Sequence, residues 1–212
     1  MLAAHQLCLS SMSDERNQSI TLLALGSNRA GRYLHCSTVL RCALAQLKSR
    51  GVIPVAVSPF YSSQPLGCVR QPKFVNAVVA VRTTESIGTL LRLIKRIERS
   101  MGRQSGPRWG PRVVDIDILS HRGQSASGQS LGWIDCRARA TVKRRGQVVL
   151  PHPEMHRRNF VLQPLCDIMP HWFHPIFKST AQQLQRRLPR QHQSRLVHVS
   201  VENTALTCDW WP

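Results

Sequence analysis

The chain is poor in acidic residues, in long apolar runs and in paired cysteines. Asp and Glu number 11 against 29 Lys and Arg, a formal charge of +18. No apolar run approaches the roughly 18 residues of a membrane-crossing helix, so the sequence offers no transmembrane helix. Residues 1–19 lack the basic start and continuous apolar stretch of a secretory signal, and a cytoplasmic location is the expectation. The seven cysteines, at 8, 36, 42, 68, 136, 166 and 208, form no Cys-x-x-Cys pair and are odd in number. That argues against a disulfide framework or a zinc ribbon and for reduced thiols. The scarcity of acid points to polyanionic partners: nucleotides, nucleic acid or acidic surfaces. Solvated, flexible basic segments are the plainer explanation for two clusters, one at Arg137, Arg139, Lys143, Arg144 and Arg145, the other at Arg186, Arg187, Arg190 and Arg195.

What is present reads as one domain with tails. The length is 212 residues and the hydrophobic share 42%, enough for a core. An apolar run over 20–25, ending at Gly26, Ser27 and Asn28, predicts a first strand. Val39, Leu40, Ala43, Leu44 and Leu47 recur at helical spacing over 37–48, with Ser37 a candidate N-cap and Gly51 a stop. Residues 52–58 predict a second strand, edge-like or interrupted because of Pro54 and Pro59. Residues 62–73 read as a loop, and 74–81 as a buried third strand. Ile87, Leu90, Leu91, Ile94, Ile97 and Met101 form one stripe of a helix over 85–101, ended by Gly102. A fourth strand follows at 113–119. The order β-α-β-β-α-β predicts a ferredoxin-like α+β fold, a largely antiparallel sheet with helices on one face. Residues 124–146 read as a basic insertion, 148–150 as a short added strand, and 155–168 as a loop and a short helix. The expected organisation is an N-terminal extension over 1–19, a domain over 20–180, and a loosely attached C-terminal tail over 181–212.

The most informative stretch is RWGPRVVDIDIL at 108–119. Strand alternation puts Asp115 and Asp117 on one face and Val114, Ile116 and Ile118 on the other. Two neighbouring carboxylates repel unless a cation joins them. Hard oxygen donors at this spacing suit Mg²⁺ together with substrate phosphates. Arg108 and Arg112, just upstream, have the forked geometry that grips phosphate. Metal carboxylates, guanidiniums and an indole within a dozen residues point to phosphoryl chemistry on a nucleotide. His152 and His156 are four apart, but no Glu follows the first, so they do not make a zinc-protease helix.

Together with ALGSN at 24–28, PLG at 65–67, QPKFVNA at 71–77, Glu98, Gly102, Arg103, LPH at 150–152 and residues 155–160, this motif resembles the 6-hydroxymethyl-7,8-dihydropterin pyrophosphokinases of folate biosynthesis. The pieces occur in the family's order, over about 20–120 and 148–170. The resemblance implies a ferredoxin-like fold and transfer of pyrophosphate from ATP to the hydroxymethyl group of a reduced pterin, with release of AMP. It implies that Asp115 and Asp117 hold two Mg²⁺ ions on ATP, and that Arg103, Arg112 and Arg158 contact phosphate. Lys95, Glu98, Trp109, Ile118 and His152 would attend the nucleotide. The pterin would stack between Phe74 and Phe160 and pair with Asn76, with Ser63, Pro65, Leu66 and Trp109 completing its pocket. Aromatic faces and a side-chain amide suit such a heterocycle. The interval QSGP at 104–107 is uncharged, where the family places further cations on a loop. A monomer acting on ATP and the pterin is expected, without membrane association. Two other readings stand beside it: a paralogue that binds ATP or pterin with little catalysis, and, last, a nucleic-acid-binding module driven by charge, for which no recognisable motif is present.

Overall fold

The computed structural model describes residues 20–65, 71–104, 110–121, 149–189, 192 and 195–199. The expected N-terminal extension, the basic insertion, Leu66, Arg108 and Trp109 lie outside them.

The elements follow the expected order: β1 (Ile20–Ser27), α1 (Cys36–Lys48), β2 (Ile53–Val57), β3 (Tyr61–Ser63), β4 (Phe74–Arg82), α2 (Ile87–Ser100) and β5 (Asp115–Ser120). Downstream come a 3-10 turn (Met155–Arg157), α3 (Asn159–Ile168), a small hairpin of β6 (Phe173–His174) and β7 (Ser179–Thr180), α4 (Ala181–Arg186) and β8 (Val197–His198). Among the described residues the main sheet runs β5-β1-β4-β3-β8, with β2 beside the far end of β4, and each of its pairings is antiparallel. The core order β5-β1-β4-β2 is that of a split βαβ unit.

Ser62 and Ser63, assigned to a loop on sequence, belong instead with Tyr61 to a short strand. Both prolines explain why β2 and β3 are separate: β2 shifts register between Pro54 and Ala56, and Pro59 interrupts the ladder between the two strands. Ser58 bridges the break, since its N–H donates to the Val78 carbonyl and its Oγ accepts the Val78 N–H, both at 3.0 Å.

Alternation divides the core between the two sheet faces. Leu23 and Leu25 of β1, Val79 and Val81 of β4, and Ile116 and Ile118 of β5 pack under Leu40, Leu44 and Leu47 of α1 and Leu90, Ile94 and Ile97 of α2. The opposite face is covered too, contrary to the one-sided helix layer expected. Leu22, Val78, Ala80 and Leu119 meet Met155 and α3 residues Val161 and Leu165. The reason lies in β1 and β4, whose consecutive apolar residues present a hydrophobic surface on both sides.

Helix ends follow their local chemistry. Gly51 and Gly102, at φ +78° and +98°, take the left-handed conformation that terminates α1 and α2. Ser86 caps α2 by accepting the Thr89 N–H, whereas α1 starts at His35 rather than at the expected Ser37 cap. Residues 149 and 150 are not in a strand, correcting the added strand expected there. The described residues just beyond Thr180 dock on the domain rather than hanging loose. Thr180 and Gln183 form a capping box, and Leu184 and Leu188 pack on Leu162 of α3. Val197 and His198 pair with β3. No helix among the described residues is long and apolar enough to cross a membrane.

Candidate active site

Three central strands bring one row of residues together. Asn76 of β4 pairs with Gly26 of β1, and Gly26 in turn with Asp115 of β5. Ala24 pairs with Asp117 one step along. Cross-strand partners share a face, so an amide and two carboxylates flank a position without a side chain. A Cβ on Gly26 would lie 3.5 Å from Asn76 Oδ1 and 3.9 Å from Phe74 Cδ1. Glycine here keeps the floor of a cavity open.

That cavity encloses about 290 Å³. β3 and β4 line it with Ser63, Phe74 and Asn76 on one side of Gly26, β5 with Asp115 and Asp117 on the other, and Arg112, His152, Arg158 and Phe160 also line it. Asn76 is 5% exposed, and its Nδ2 donates to Ser63 Oγ at 2.9 Å. No described residue donates to its Oδ1, which stays available as an acceptor. Arg158 is the residue that precedes α3, and its guanidinium carbon lies 5.9 Å from the Phe160 ring centre, a cation–π contact within the lining. His152 reaches the wall because its N–H donates to the Leu119 carbonyl at the end of β5, 2.9 Å away.

The charged groups are preorganised. Arg112 Nη1 donates to Asp115 Oδ2 and Arg103 Nη1 to Asp115 Oδ1, each at 2.5 Å. Burial pushes the Asp115 pKa up, but the charges of Arg103 and Arg112 outweigh it and hold the carboxyl below the usual carboxylate range. Burial works against the Arg103 charge as well, and Asp115 and Glu98 reverse that, raising its pKa. The Asp117 carboxylate makes no hydrogen bond or ion pair with any described residue. Asp115 and Asp117 are therefore the oxygen donors this cavity offers a hard cation. Two carboxylates facing space for phosphate oxygens and water fit Mg²⁺. Among the described residues no group of three or more His, Cys, Asp or Glu gathers as a softer metal would require.

Several expected site residues lie elsewhere. Ile118 is 6% exposed in the helix-side core, on the face away from the cavity. Glu98 is 1% exposed and faces no open space; Lys95, 39% exposed at its side chain, is paired to it at 2.8 Å. Arg103 stands behind Asp115 rather than in the lining, and Pro65 is not part of the wall. Other residues were not singled out on sequence. Gln64 and Gln71 line the cavity. Asn28, 2% exposed, donates from Nδ2 to Gln71 Oε1 at 3.0 Å and accepts the Arg112 N–H on Oδ1 at 2.7 Å. It ties the end of β1 to the segment before β4 and to the arginine motif. The available signal was a pair of amides, Asn28 and Gln71, each within a quoted motif but without a chemical role of its own.

Residues 22–170 match the model of the 7,8-dihydro-6-hydroxymethylpterin-pyrophosphokinase family. A 2-amino-4-hydroxy-6-hydroxymethyldihydropteridine pyrophosphokinase of Bacillus subtilis is 34% identical over 151 residues, 71% of this chain and 78% of that protein. The enzyme of the same name from Methylorubrum extorquens is 36% identical over 149 residues, 70% of this chain and 81% of its own. A mitochondrial folate synthesis bifunctional protein of Arabidopsis thaliana is 34% identical over 70% of this chain, which spans only 23% of its length. A crystal structure of Plasmodium falciparum HPPK-DHPS superposes with a TM-score of 0.56 at 16% identity, covering 79% of this chain and 42% of that one, a likeness of fold. By its matched residues and by relatives covered over most of their length, the chain belongs to the 7,8-dihydro-6-hydroxymethylpterin-pyrophosphokinase family.

Proposed function

We propose that this protein transfers the terminal pyrophosphate of ATP to the hydroxyl of 6-hydroxymethyl-7,8-dihydropterin, releasing AMP. The observation that carries the reading is the lining of one cavity. Two aromatic rings and an amide share it with two carboxylates and two arginines, with Asn76 and Asp115 on opposite sides of Gly26, so a flat heterocycle and a triphosphate would meet inside one space.

The residues divide the work. Phe74 and Phe160 stack on the pterin, and Asn76, steadied by Ser63, presents an acceptor to its amino edge. Arg112 and Arg158 contact the phosphates, where forked donors place charge where it develops. His152 donates to a phosphate oxygen. Mg²⁺ bound by Asp115 and Asp117, two ions in this reading, would neutralise and orient the triphosphate. Positioning with electrostatics is most of what phosphoryl transfer needs. The hydroxyl oxygen attacks the β-phosphorus and gives up its proton to solvent, the bond from the β-phosphorus to the oxygen bridging it to the α-phosphate breaks, and AMP leaves with that oxygen and its electron pair. Trp109 and Leu66, outside the described residues, complete the pterin pocket in this reading, and the enzyme works as a cytoplasmic monomer.

A coupled assay of AMP release with ATP, Mg²⁺ and the pterin alcohol tests the reading. Turnover that requires both substrates and the metal is expected; tight binding of both substrates without AMP would favour a non-catalytic paralogue. The uncharged interval at 104–107 is the feature that keeps this second reading in play.

A further inference from the structure

Glu98 is the one carboxylate buried in the helix-side layer among the described residues, at 1% exposure among Leu90, Ile94 and Ile97. A buried carboxylate is costly unless donors satisfy its oxygens. Here they come from three places. Lys95 Nζ, one turn back on α2, reaches Oε2 at 2.8 Å; the backbone N–H of Ile116, in β5, reaches Oε1 at 2.9 Å; and Arg103 Nη1 donates to Oε1 as well. The same Nη1 reaches Asp115 Oδ1 at 2.5 Å. Glu98 does not line the cavity, yet through one nitrogen it is a single residue removed from Asp115.

We propose that Glu98 is a positioning residue. It holds Arg103 behind Asp115 and pins the start of β5, so that Asp115 keeps its place while its charge is offered to a ligand. The chemistry follows from counting donors and charges. Without a charge at 98, Arg103 has Asp115 as its one remaining anionic partner, and the whole of its charge then competes with any cation for that carboxylate. Glu98→Gln preserves shape and still accepts the Ile116 N–H, but it cannot anchor a guanidinium as a carboxylate does. The inference rests on the pyrophosphokinase reading for the identity of the ligand, not for the linkage itself.

A double-mutant cycle between Glu98 and Arg103 tests it, read as affinity for α,β-methylene-ATP with Mg²⁺ and, separately, as AMP release. Glu98→Gln alone should weaken binding about 10-fold and turnover about 100-fold, while Glu98→Gln in an Arg103→Ala background should add less than about 2-fold. Glu98→Asp should recover part of the affinity when Arg103 is present and none when it is absent, a dependence that a purely structural carboxylate would not show. Independent, multiplicative losses from Glu98 and Arg103 would overturn the proposal. If circular dichroism shows that Glu98→Gln does not fold, the same cycle with Glu98→Asp decides. The binding arm needs no turnover. A parent that binds the analogue but releases no AMP sinks the enzymatic reading alone, additive cycles in an active parent sink the Glu98 role alone, and a parent that binds no nucleotide overturns both.

Discussion

The two faces of the sheet are made by the same strands and do opposite jobs. On the α1–α2 face the alternation is apolar through the middle of the strands: Leu23 and Leu25, Ala77 and Val79, Ile116 and Ile118 all lie in one buried cluster. On the α3 face it changes character halfway. Leu22, Val78, Ala80 and Leu119 are covered by α3, but the next positions along are Gly26, Asn76, Asp115 and Asp117, and there the cover opens into the cavity. Each strand thus spends its odd and even positions differently, and the candidate site sits where a hydrophobic pattern stops on one face while continuing on the other. Stability and chemistry should then separate at adjacent residues.

Asp117 and Ile116 provide the sharpest test of that separation. Asp117→Ala removes a carboxylate that has no partner among the described residues; turnover should fall by at least about 1000-fold, roughly 4 kcal/mol of barrier, with the thermal midpoint nearly unchanged. Ile116, its neighbour on the other face, is 1% exposed. Ile116→Ala should cost about 3 kcal/mol of stability, measured by urea unfolding, and leave the KM of the surviving folded protein close to that of the parent. An Asp117→Ala protein that unfolds, or an Ile116→Ala protein that is stable but inactive, would break the comparison.

A smaller effect is expected on the α3 side, away from the carboxylates. His174 is 2% exposed, its Nδ1 accepting the N–H groups of Ile176 and Phe177, and its ring lies near His156. Burial, aided by the His156 charge, lowers its pKa from 6.5 to about 4. The unfolded chain then binds more protons than the folded one between those values. Stability should be fully present above pH 6.5 and fall as the pH drops toward 4, by up to about 3 kcal/mol. Melting curves across that range should flatten in His174→Gln, and an unchanged slope would remove His174 from the account. Smallest of all, Thr180→Ala should cost about 1 kcal/mol by removing the cap of α4, with no change in turnover, because α4 lies beyond the cavity.

Much of this was legible in the chain before any coordinates. Apolar periodicity placed the two long helices, and the Asp115–Asp117 alternation correctly separated a polar face from Ile116 and Ile118. What stayed hidden was decided by tertiary contact. The α4 helix escaped notice because Gln and Arg dominate its composition, while its docking depends on Ala181, Leu184 and Leu188 at three- and four-residue spacing. The strand at 61–63 is too short for a periodic signal and exists by pairing with β4. Glu98 reads on sequence as one more charge on an amphipathic helix. Only the approach of Ile116 and Arg103 makes it a buried hub of hydrogen bonds. Nor does sequence spacing reveal that Asn28 holds Gln71 and Arg112 at once, since the three positions come from distant segments.

The most direct test of the account is the steady-state rate of AMP formation by the purified protein with ATP, Mg²⁺ and 6-hydroxymethyl-7,8-dihydropterin. The account expects AMP and pterin diphosphate in equal amounts, none without the pterin, and none from Asp117→Ala. AMP release that ignores the pterin, or full activity in Asp117→Ala, would contradict it.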